Sequence, residues 1–229
     1  MIEVTGLTQG FGKKIVLADV DLRIEKNEIC ALVGRNGAGK STFINSLLGL
    51  LPVKKGMVKI NNIVRTGKKR TLRNEIAFLP EKFMLYPALT GMENMLFFAG
   101  TGSGKPDLTE IENALKAVNL WKDRDVKVKK YSKGMLQRLG LAVTLYQDAD
   151  ILILDEPTSG IDPMGRQEIL EVLKSLSGKT ILLSSHHLDE IKQVCTHVAF
   201  LENSIIKKYT VNEFMQVQRL GDYDNEKVV

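Results

Sequence analysis

Cysteine is scarce in this chain. Two occur, Cys30 and Cys195, and neither stands in a metal-ligand or C-x-x-C spacing. That argues against a disulfide framework and a thiolate metal site. Both lie in apolar segments and read as buried reduced thiols, which implies a reducing compartment. Long apolar runs are missing too: no stretch approaches the about 18–20 apolar residues that a spanning helix needs. The chain is therefore expected not to cross a membrane by itself, though a partner could hold it against one. The opening MIEVTGLTQG has no charged-then-apolar signal pattern. There is no internal repeat and no low-complexity segment. A large excess of one charge sign is also lacking, the formal net charge being +5 and the pI about 9.1. The lysines are spread along the chain rather than gathered on one face, so no nucleic-acid partner is expected. One local cluster, Arg65, Lys68, Lys69, Arg70 and Arg73, reads as a solvated loop or as a site for an acidic partner or lipid surface.

The 229 residues, 44% hydrophobic and 26% charged, suit one large α/β domain or a domain with a smaller lobe. Ile2–Leu7 and Val20–Ile24 alternate apolar and polar residues and predict two antiparallel strands. Glu28–Val33 is nearly continuous in apolar character and predicts a buried strand. A glycine-rich turn follows, then a helix with Phe43, Ile44, Leu47 and Leu48 on one face and Gly49 at its end. Met57–Ile60 and Glu75–Leu79 predict further strands. From Pro80 to about Gln147 the pattern is helical, with Thr90 and Glu93 as a capping pair, Ile111, Leu115 and Val118 at helical spacing, and Ser132 as a further cap. Thr101–Pro106 reads as a turn or short linker. Ile151–Leu154 predicts a buried strand, Asp162-Pro163 a helix start with Ile169, Leu173 and Leu176 as its buried stripe, and Ile181–Leu183 another strand. His197–Leu201 and Ile205–Tyr209 should pair as a hairpin. Residues 1–80 and 148–209 are thus expected to form a core with a β-subdomain, 81–147 an inserted helical lobe, and 210–229 a surface helix or loose tail.

Two segments carry chemistry. Gly34-Arg35-Asn36-Gly37-Ala38-Gly39-Lys40-Ser41-Thr42 fits G-x-x-x-x-G-K-[ST]. Gly34 and Gly39 let the backbone fold tightly around phosphate. Successive N–H groups and a helix N-terminus then face the anion, Lys40 reaches the β- and γ-phosphates, and the Ser41 hydroxyl ligates Mg²⁺. ATP and Mg²⁺ are the expected ligands. Ile151-Leu-Ile-Leu154 ends in Asp155-Glu156, and ligands of open α/β sheets bind at the carboxyl ends of strands. Asp155 is expected to hold Mg²⁺, directly or through water, and Glu156 to polarise the attacking water. The pair of motifs defines a P-loop ATPase.

Further segments resemble the ATP-binding cassette (ABC) family. Tyr131-Ser132-Lys133-Gly134-Met135-x-x-Arg138 is similar to its signature, and Asp155-Glu-Pro157-Thr-Ser159-Gly-Ile-Asp162 to its joined Walker B and D-loop. Ser184-Ser-His186 resembles its switch histidine, Ile76-Ala-Phe78-Leu-Pro80-Glu81 its Q-loop, and Phe11 before Gly12 its aromatic A-loop residue. The resemblance runs in family order from residue 1 to about 209. It implies a P-loop NTPase core with an N-terminal antiparallel β-subdomain and an inserted helical subdomain. It also implies that Phe11 stacks on adenine, that residues 36–42 bind phosphates, and that Ser132 and Gly134 contact the γ-phosphate held by a second ABC ATPase subunit. His186 would bond the γ-phosphate and help hold Glu156 and the water. Two chains would sandwich two ATP head to tail, and hydrolysis would drive an integral membrane permease subunit from the cytoplasmic face of the cell membrane.

Two positions depart from the family. The signature usually reads L-S-G-G-Q, and the Tyr-Ser-Lys-Gly-Met form here looks most like exporters and efflux systems with separate membrane subunits. Glu81 stands where a glutamine is usual. It could meet Mg²⁺ or water, or serve mainly to couple the site to the helical lobe. The serine spacing favours His186 over His187 as the switch, and His197 reads as structural. Trp121, Met92, Met95, Phe97 and Phe98 read as core packing or as the place where a membrane subunit docks. A soluble ABC ATPase, for example in iron–sulfur cluster assembly, is the alternative; a tandem cassette and a long heptad insert are both absent. A sensor without turnover is disfavoured by the presence of Glu156 and His186.

Overall fold

Residues 1–65, 75–102, 105–176 and 178–225 are described by the structure, a computed structural model. In chain order the elements are β1 (Ile2–Phe11), β2 (Lys14–Ile24), β3 (Ile29–Val33), α1 (Lys40–Leu48), β4 (Lys55–Ile60), β5 (Ile63–Val64), β6 (Ile76–Leu79), α2 (Gly91–Gly100), α3 (Leu108–Ala117), α4 (Lys133–Tyr146), β7 (Ile151–Leu154), α5 (Pro163–Ser175), β8 (Thr180–Ser184), α6 (Leu188–Val194), β9 (His197–Glu202), β10 (Ile205–Thr210) and α7 (Val211–Asn225). They fall into two compact units, Met1–Arg70 with Thr180–Val229, and Thr71–Lys179. Of the basic cluster, Lys68, Lys69, Arg70 and Arg73 lie outside the described residues, as do Ser103 and Gly104 of the expected linker.

The first unit holds two sheets. One is antiparallel in the order β2-β1-β4-β5. Its apolar alternation is in register: Ile2 stands opposite Ile24 on β2 and Ile60 on β4, and all three are fully buried. Each such side chain contributes about 1.5–3 kcal/mol by leaving water. In the other sheet β3 lies between parallel neighbours β8 and β9, with Ala31 facing Leu183 and Val198. Cys30, Ala31 and Leu32 point alternately to the two faces of the sheet and are all fully buried, so β3 is covered on both faces, which explains its apolar run. The β9–β10 hairpin turns through Asn203 and Ser204, both at positive φ, which suits the strand twist.

The C-terminal residues form α7, whose start carries a reciprocal cap. Thr210 N–H donates to Glu213 Oε2 at 2.7 Å, and Glu213 N–H donates to Thr210 Oγ1 at 3.3 Å. Phe214 is fully buried against Phe200 and Tyr209. The cap residues were in the sequence as T-x-x-E, a signal the polar character of the tail obscured.

In the second unit β6 and β7 pair in parallel, Leu79 opposite Leu154. Both halves of the Thr90–Glu93 capping box are formed. Gly140 lets α4 lie close to β6, since a Cβ there would come within 3.1 Å of Leu79 Cδ1. This contact ties the helices to the strands, so β6, β7 and α5 belong to one unit with α2–α4. Met95 is buried in the unit, whereas Phe97 is exposed beside Tyr86, ring centroids 4.4 Å apart. Buried Asn94 fixes that segment by accepting from Tyr86 N–H and donating to the carbonyls of Tyr86 and Thr90. Trp121 lies under the Arg124 guanidinium at 4.1 Å. Among the described residues no helix is long and apolar enough to cross a membrane.

Both cysteines are free thiols, Cys30 buried as expected and Cys195 only half-buried. Burial raises Cys30 well above the usual thiol range, and burial with the nearby Glu190 carboxylate pushes Cys195 up to about 12.

A buried carboxylate anchors the start of β3. Glu28, 6% exposed, accepts from Lys208 Nζ at 2.7 Å and faces His197 Nδ1 at 3.4 Å, and its Oε2 accepts from Glu25 N–H at 3.0 Å. Replacing Lys208 by methionine leaves that carboxylate without its nearest cation. Urea titration of Lys208→Met should show a loss of about 3 kcal/mol, and Glu28→Gln placed on top should cost little more.

Candidate functional site

The turn after β3 is shaped by what glycine allows. A Cβ at Gly34 would come within 2.6 Å of the Leu201 carbonyl oxygen. Gly39 has φ +116, and a Cβ there would meet Val16 Cγ1 at 2.7 Å. The turn is closed by Ala38 N–H donating to Arg35 O at 3.1 Å and by Lys40 Nζ donating to Gly34 O at 2.7 Å. Arg35, Asn36 and Gly37 are exposed, as is Ser41, and Thr42 is half-buried. Gly39 is the N-cap of α1, which has no side-chain cap and no acidic residue in its first turn. The first N–H groups and the positive end of the helix dipole are thus left for an anion. Phe11 stands at the end of the β1–β2 ladder, 57% exposed, before Gly12 at φ +56. Its ring is open to stack on a planar group.

His186 leaves from the same edge of the same sheet. β8 runs parallel to β3 with Ser184 opposite Leu32, so Gly34 and His186 each follow two residues beyond that pair. His186 is exposed, and its ring stacks on that of His187, centroids 4.0 Å apart and 40° inclined. His197 belongs to the Glu28 cluster described above.

In the second unit, three carboxylates emerge at one end of the β6–β7 pair. Glu81 follows Leu79 by two residues, and Asp155 and Glu156 follow Leu154 directly. Asp155 N–H donates to Leu79 O at 2.8 Å, which extends the ladder to the first of them. Glu156 has φ +49, unusual for a residue with a side chain. Such a conformation costs on the order of 1–3 kcal/mol and gathers at functional sites. Among the described residues no group of three or more His, Cys, Asp or Glu is close enough to hold a metal ion alone.

The signature segment opens α4. Ser132 is its N-cap, accepting from Met135 N–H at 3.2 Å. Tyr131 buries its ring and donates its hydroxyl to Asp123 O at 2.8 Å, over Gly91. Burial first, then the Asp123 charge, push this phenol up to about 12. The hydroxyl that tyrosine brings to this position is thereby satisfied. Gly134 meets Gly165 of α5, a Cβ on the first lying 3.6 Å from the Cα of the second. Sequence reading missed Gly165. The clue was a small residue in the first turn after Asp162-Pro163. Asp162 caps α5 by accepting from Gly165 and Met164 N–H groups, which hold its carboxyl below the usual range. The cap is therefore complete above the ordinary carboxylate range and fades as pH falls through the lowered value. Lys133 extends over Gly160, where a Cβ would collide with its ammonium. Arg138 is structural: it donates to the carbonyls of Val118 and Asn119 and pairs with Glu168 at 3.2 Å.

The two strains at Gly39 predict one outcome. Gly39→Ala should lose ATP affinity by at least tenfold in a fluorescent-nucleotide titration, with the melting temperature changed by only a few degrees.

Comparison with known proteins bears on the family. The model of the family "ABC transporter" matches residues 17–159. The lantibiotic transport ATP-binding protein SrtF of Streptococcus pyogenes is 37% identical over 221 residues, 94% of each chain. The bacitracin transport ATP-binding protein BcrA of Enterococcus faecalis is 34% identical over 223 residues, 96% of this chain and 72% of that one. The linearmycin resistance ATP-binding protein LnrL of Bacillus subtilis is 31% identical over 88% of this chain, which spans 66% of its length. Among solved structures, the ATP-binding subunit of an ABC transporter superposes with TM-score 0.81 at 30% identity, covering 96% of this chain and 94% of that one. A dimeric cassette in a post-hydrolysis state, bound to ADP and Pi, superposes with TM-score 0.79 at 26% identity, covering 92% and 99%. The phosphate loop, the ordered motifs, the fold and these relatives lead to one conclusion: the chain belongs to the ABC transporter family, as one of its ATP-binding subunits.

Proposed function

We propose that this chain hydrolyses ATP in a head-to-tail pair of cassettes and so powers a membrane exporter. The observation that carries the reading is the uncapped N-terminus of α1 behind a glycine turn bridged by Lys40. Residues 36–42 bind the phosphates and the Phe11 ring takes the adenine. Glu156 orients and polarises the attacking water, and His186 bonds the γ-phosphate. Ser132 and Gly134 meet the γ-phosphate held by the second cassette, helped by the N-terminal end of α4. Catalysis is then electrostatic positioning around the transferring phosphoryl group, with no covalent intermediate.

The donor set fits Mg²⁺. Mg²⁺ is usually held by one or two carboxylates, a hydroxyl and the substrate's own phosphates rather than by an all-protein cage. Ser41 and Asp155 would hold the ion, with Glu81 reaching it directly or through water. Bound there, it would neutralise charge on the β- and γ-phosphate oxygens.

The exporter reading draws on the relatives, whose names describe lantibiotic transport, bacitracin transport, linearmycin resistance and Nod factor export. Nothing among them favours the iron–sulfur alternative. The chain would then work at the cytoplasmic face of a membrane through a permease subunit. Exposed Met84, Tyr86 and Phe97 offer that subunit an apolar face.

Phosphate release and nucleotide binding test the chemistry together. Lys40→Ala should lose ATP affinity or turnover, and unchanged hydrolysis would sink the phosphate-loop assignment. Glu156→Gln should still bind ATP, hydrolyse it at least a hundredfold more slowly and collect as an ATP-bound dimer. Tagged Glu156→Gln, purified with ATP from detergent-solubilised membranes of its native cell, should bring down a multi-span membrane protein in stoichiometric yield. A clean complex without one would overturn the transporter reading and leave the ATPase intact.

A further inference from the structure

The loop that carries His186 is held from beneath by two buried polar side chains. Ser185 is 1% exposed and Glu190 is 4% exposed. Ser185 Oγ donates to Glu190 Oε2 at 2.9 Å. The same oxygen accepts from His187 N–H at 3.1 Å. The residues on either side of His186 are therefore stitched together by one hydroxyl, and that hydroxyl is anchored to the first turn of α6. His186 occupies the apex of this closed turn, with its ring stacked on His187.

A carboxylate buried to this degree is costly unless it is hydrogen-bonded. Two features show what this one does locally. The serine hydroxyl can donate to only one acceptor, and the carboxylate fixes which. With its proton committed to Glu190, the oxygen's lone pairs face the His187 amide. The carboxylate therefore orients the hydroxyl, and the hydroxyl closes the turn. α6 itself has no side-chain cap, and this pair helps to close the turn at its N-terminal end.

We propose that Glu190 and Ser185 are positioning residues of the hydrolytic switch, acting through the backbone on either side of His186 to hold its imidazole where it meets the γ-phosphate. The proposal rests on the hydrolytic role given above to His186. Both are buried beneath the loop and would act on nucleotide only through His186. Their effect falls on the rate of the chemical step, because misplacing a catalytic group by about 1 Å costs on the order of a hundredfold. ATP affinity, set by the phosphate loop, stays as it was. The conservative partners separate positioning from bulk stability. Glu190→Gln keeps an acceptor oxygen for Ser185, and Ser185→Thr keeps the hydroxyl.

The test uses the full chain in its membrane complex for phosphate release, and the isolated full chain for side-chain NMR of the histidine rings and for melting. Ser185→Ala and Glu190→Ala should each lower kcat tenfold or more with KM for ATP within about twofold of wild type, and each should shift the His186 ring resonances. Glu190→Gln and Ser185→Thr should recover most of both. His186→Ala and Lys40→Ala serve as references. If His186→Ala abolishes turnover while Ser185→Ala and Glu190→Ala turn over normally, the positioning role is wrong and the hydrolysis reading stands. If wild type releases no more phosphate than Lys40→Ala, the hydrolysis reading falls. The ring resonances then decide the positioning separately: unmoved in Ser185→Ala and Glu190→Ala, they overturn it. A fall in kcat that tracks melting temperature and is not recovered by the conservative variants also overturns it.

Discussion

A helix N-terminus with nothing of its own to satisfy it is the constraint around which the first unit is arranged. Helices α2, α3, α4, α5 and α7 begin on Thr90, Asp107, Ser132, Asp162 and Thr210, each accepting from its own first turn. α1 begins on Gly39, which has no side chain to offer. Left in water, those N–H groups would simply be hydrated. Here they end a turn packed tightly against neighbouring strands, with Gly34 against Leu201 and Gly39 against Val16. Burying β3 between two parallel neighbours makes the base of that turn rigid. Rigidity lets the donors stay aimed with little reorganisation when charge shifts on a phosphate.

The second unit meets a different demand, which is to present short segments in fixed relation. Small residues do this where helices approach. Gly134 and Gly165 let the start of α4 meet the start of α5, and Gly140 lets the same helix rest on Leu79 and Phe83. A chain of contacts therefore runs from the signature through α4 to the strand whose end bears Glu81. The strained backbone of Glu156 fits the same picture: a carboxylate is held where its own conformational preference would not put it.

Much of this was legible in the sequence because the signals were local. The phosphate loop, the capping pair Thr90–Glu93, the Asp162-Pro163 helix start and the apolar strands at 29–33 and 151–154 each follow from a handful of adjacent residues. Strand boundaries were less so. β1 runs on to Phe11 and β2 begins at Lys14, beyond the alternating stretch, because hairpin pairing carries polar residues along. What periodicity could not convey was long-range. Nothing near Glu28 in sequence announces Lys208, and nothing near Phe214 announces Phe200. Phe97 has the spacing of a core residue yet stands on the surface, since composition does not say which helix face is covered. Nor does anything near α4 in sequence announce its close approach to Leu79 of β6.

The state of the two thiols has a practical side. A thiolate, rather than a thiol, attacks maleimides and iodoacetamides. Cys30 is sealed in β3, and burial with the Glu190 carboxylate pushes the half-buried Cys195 thiol up, so both native thiols are poor nucleophiles near neutral pH. A cysteine introduced at exposed Met164, in the first turn of α5, would then be much the more reactive handle. Spectroscopic rulers could be attached there without first stripping the chain of its own sulfur.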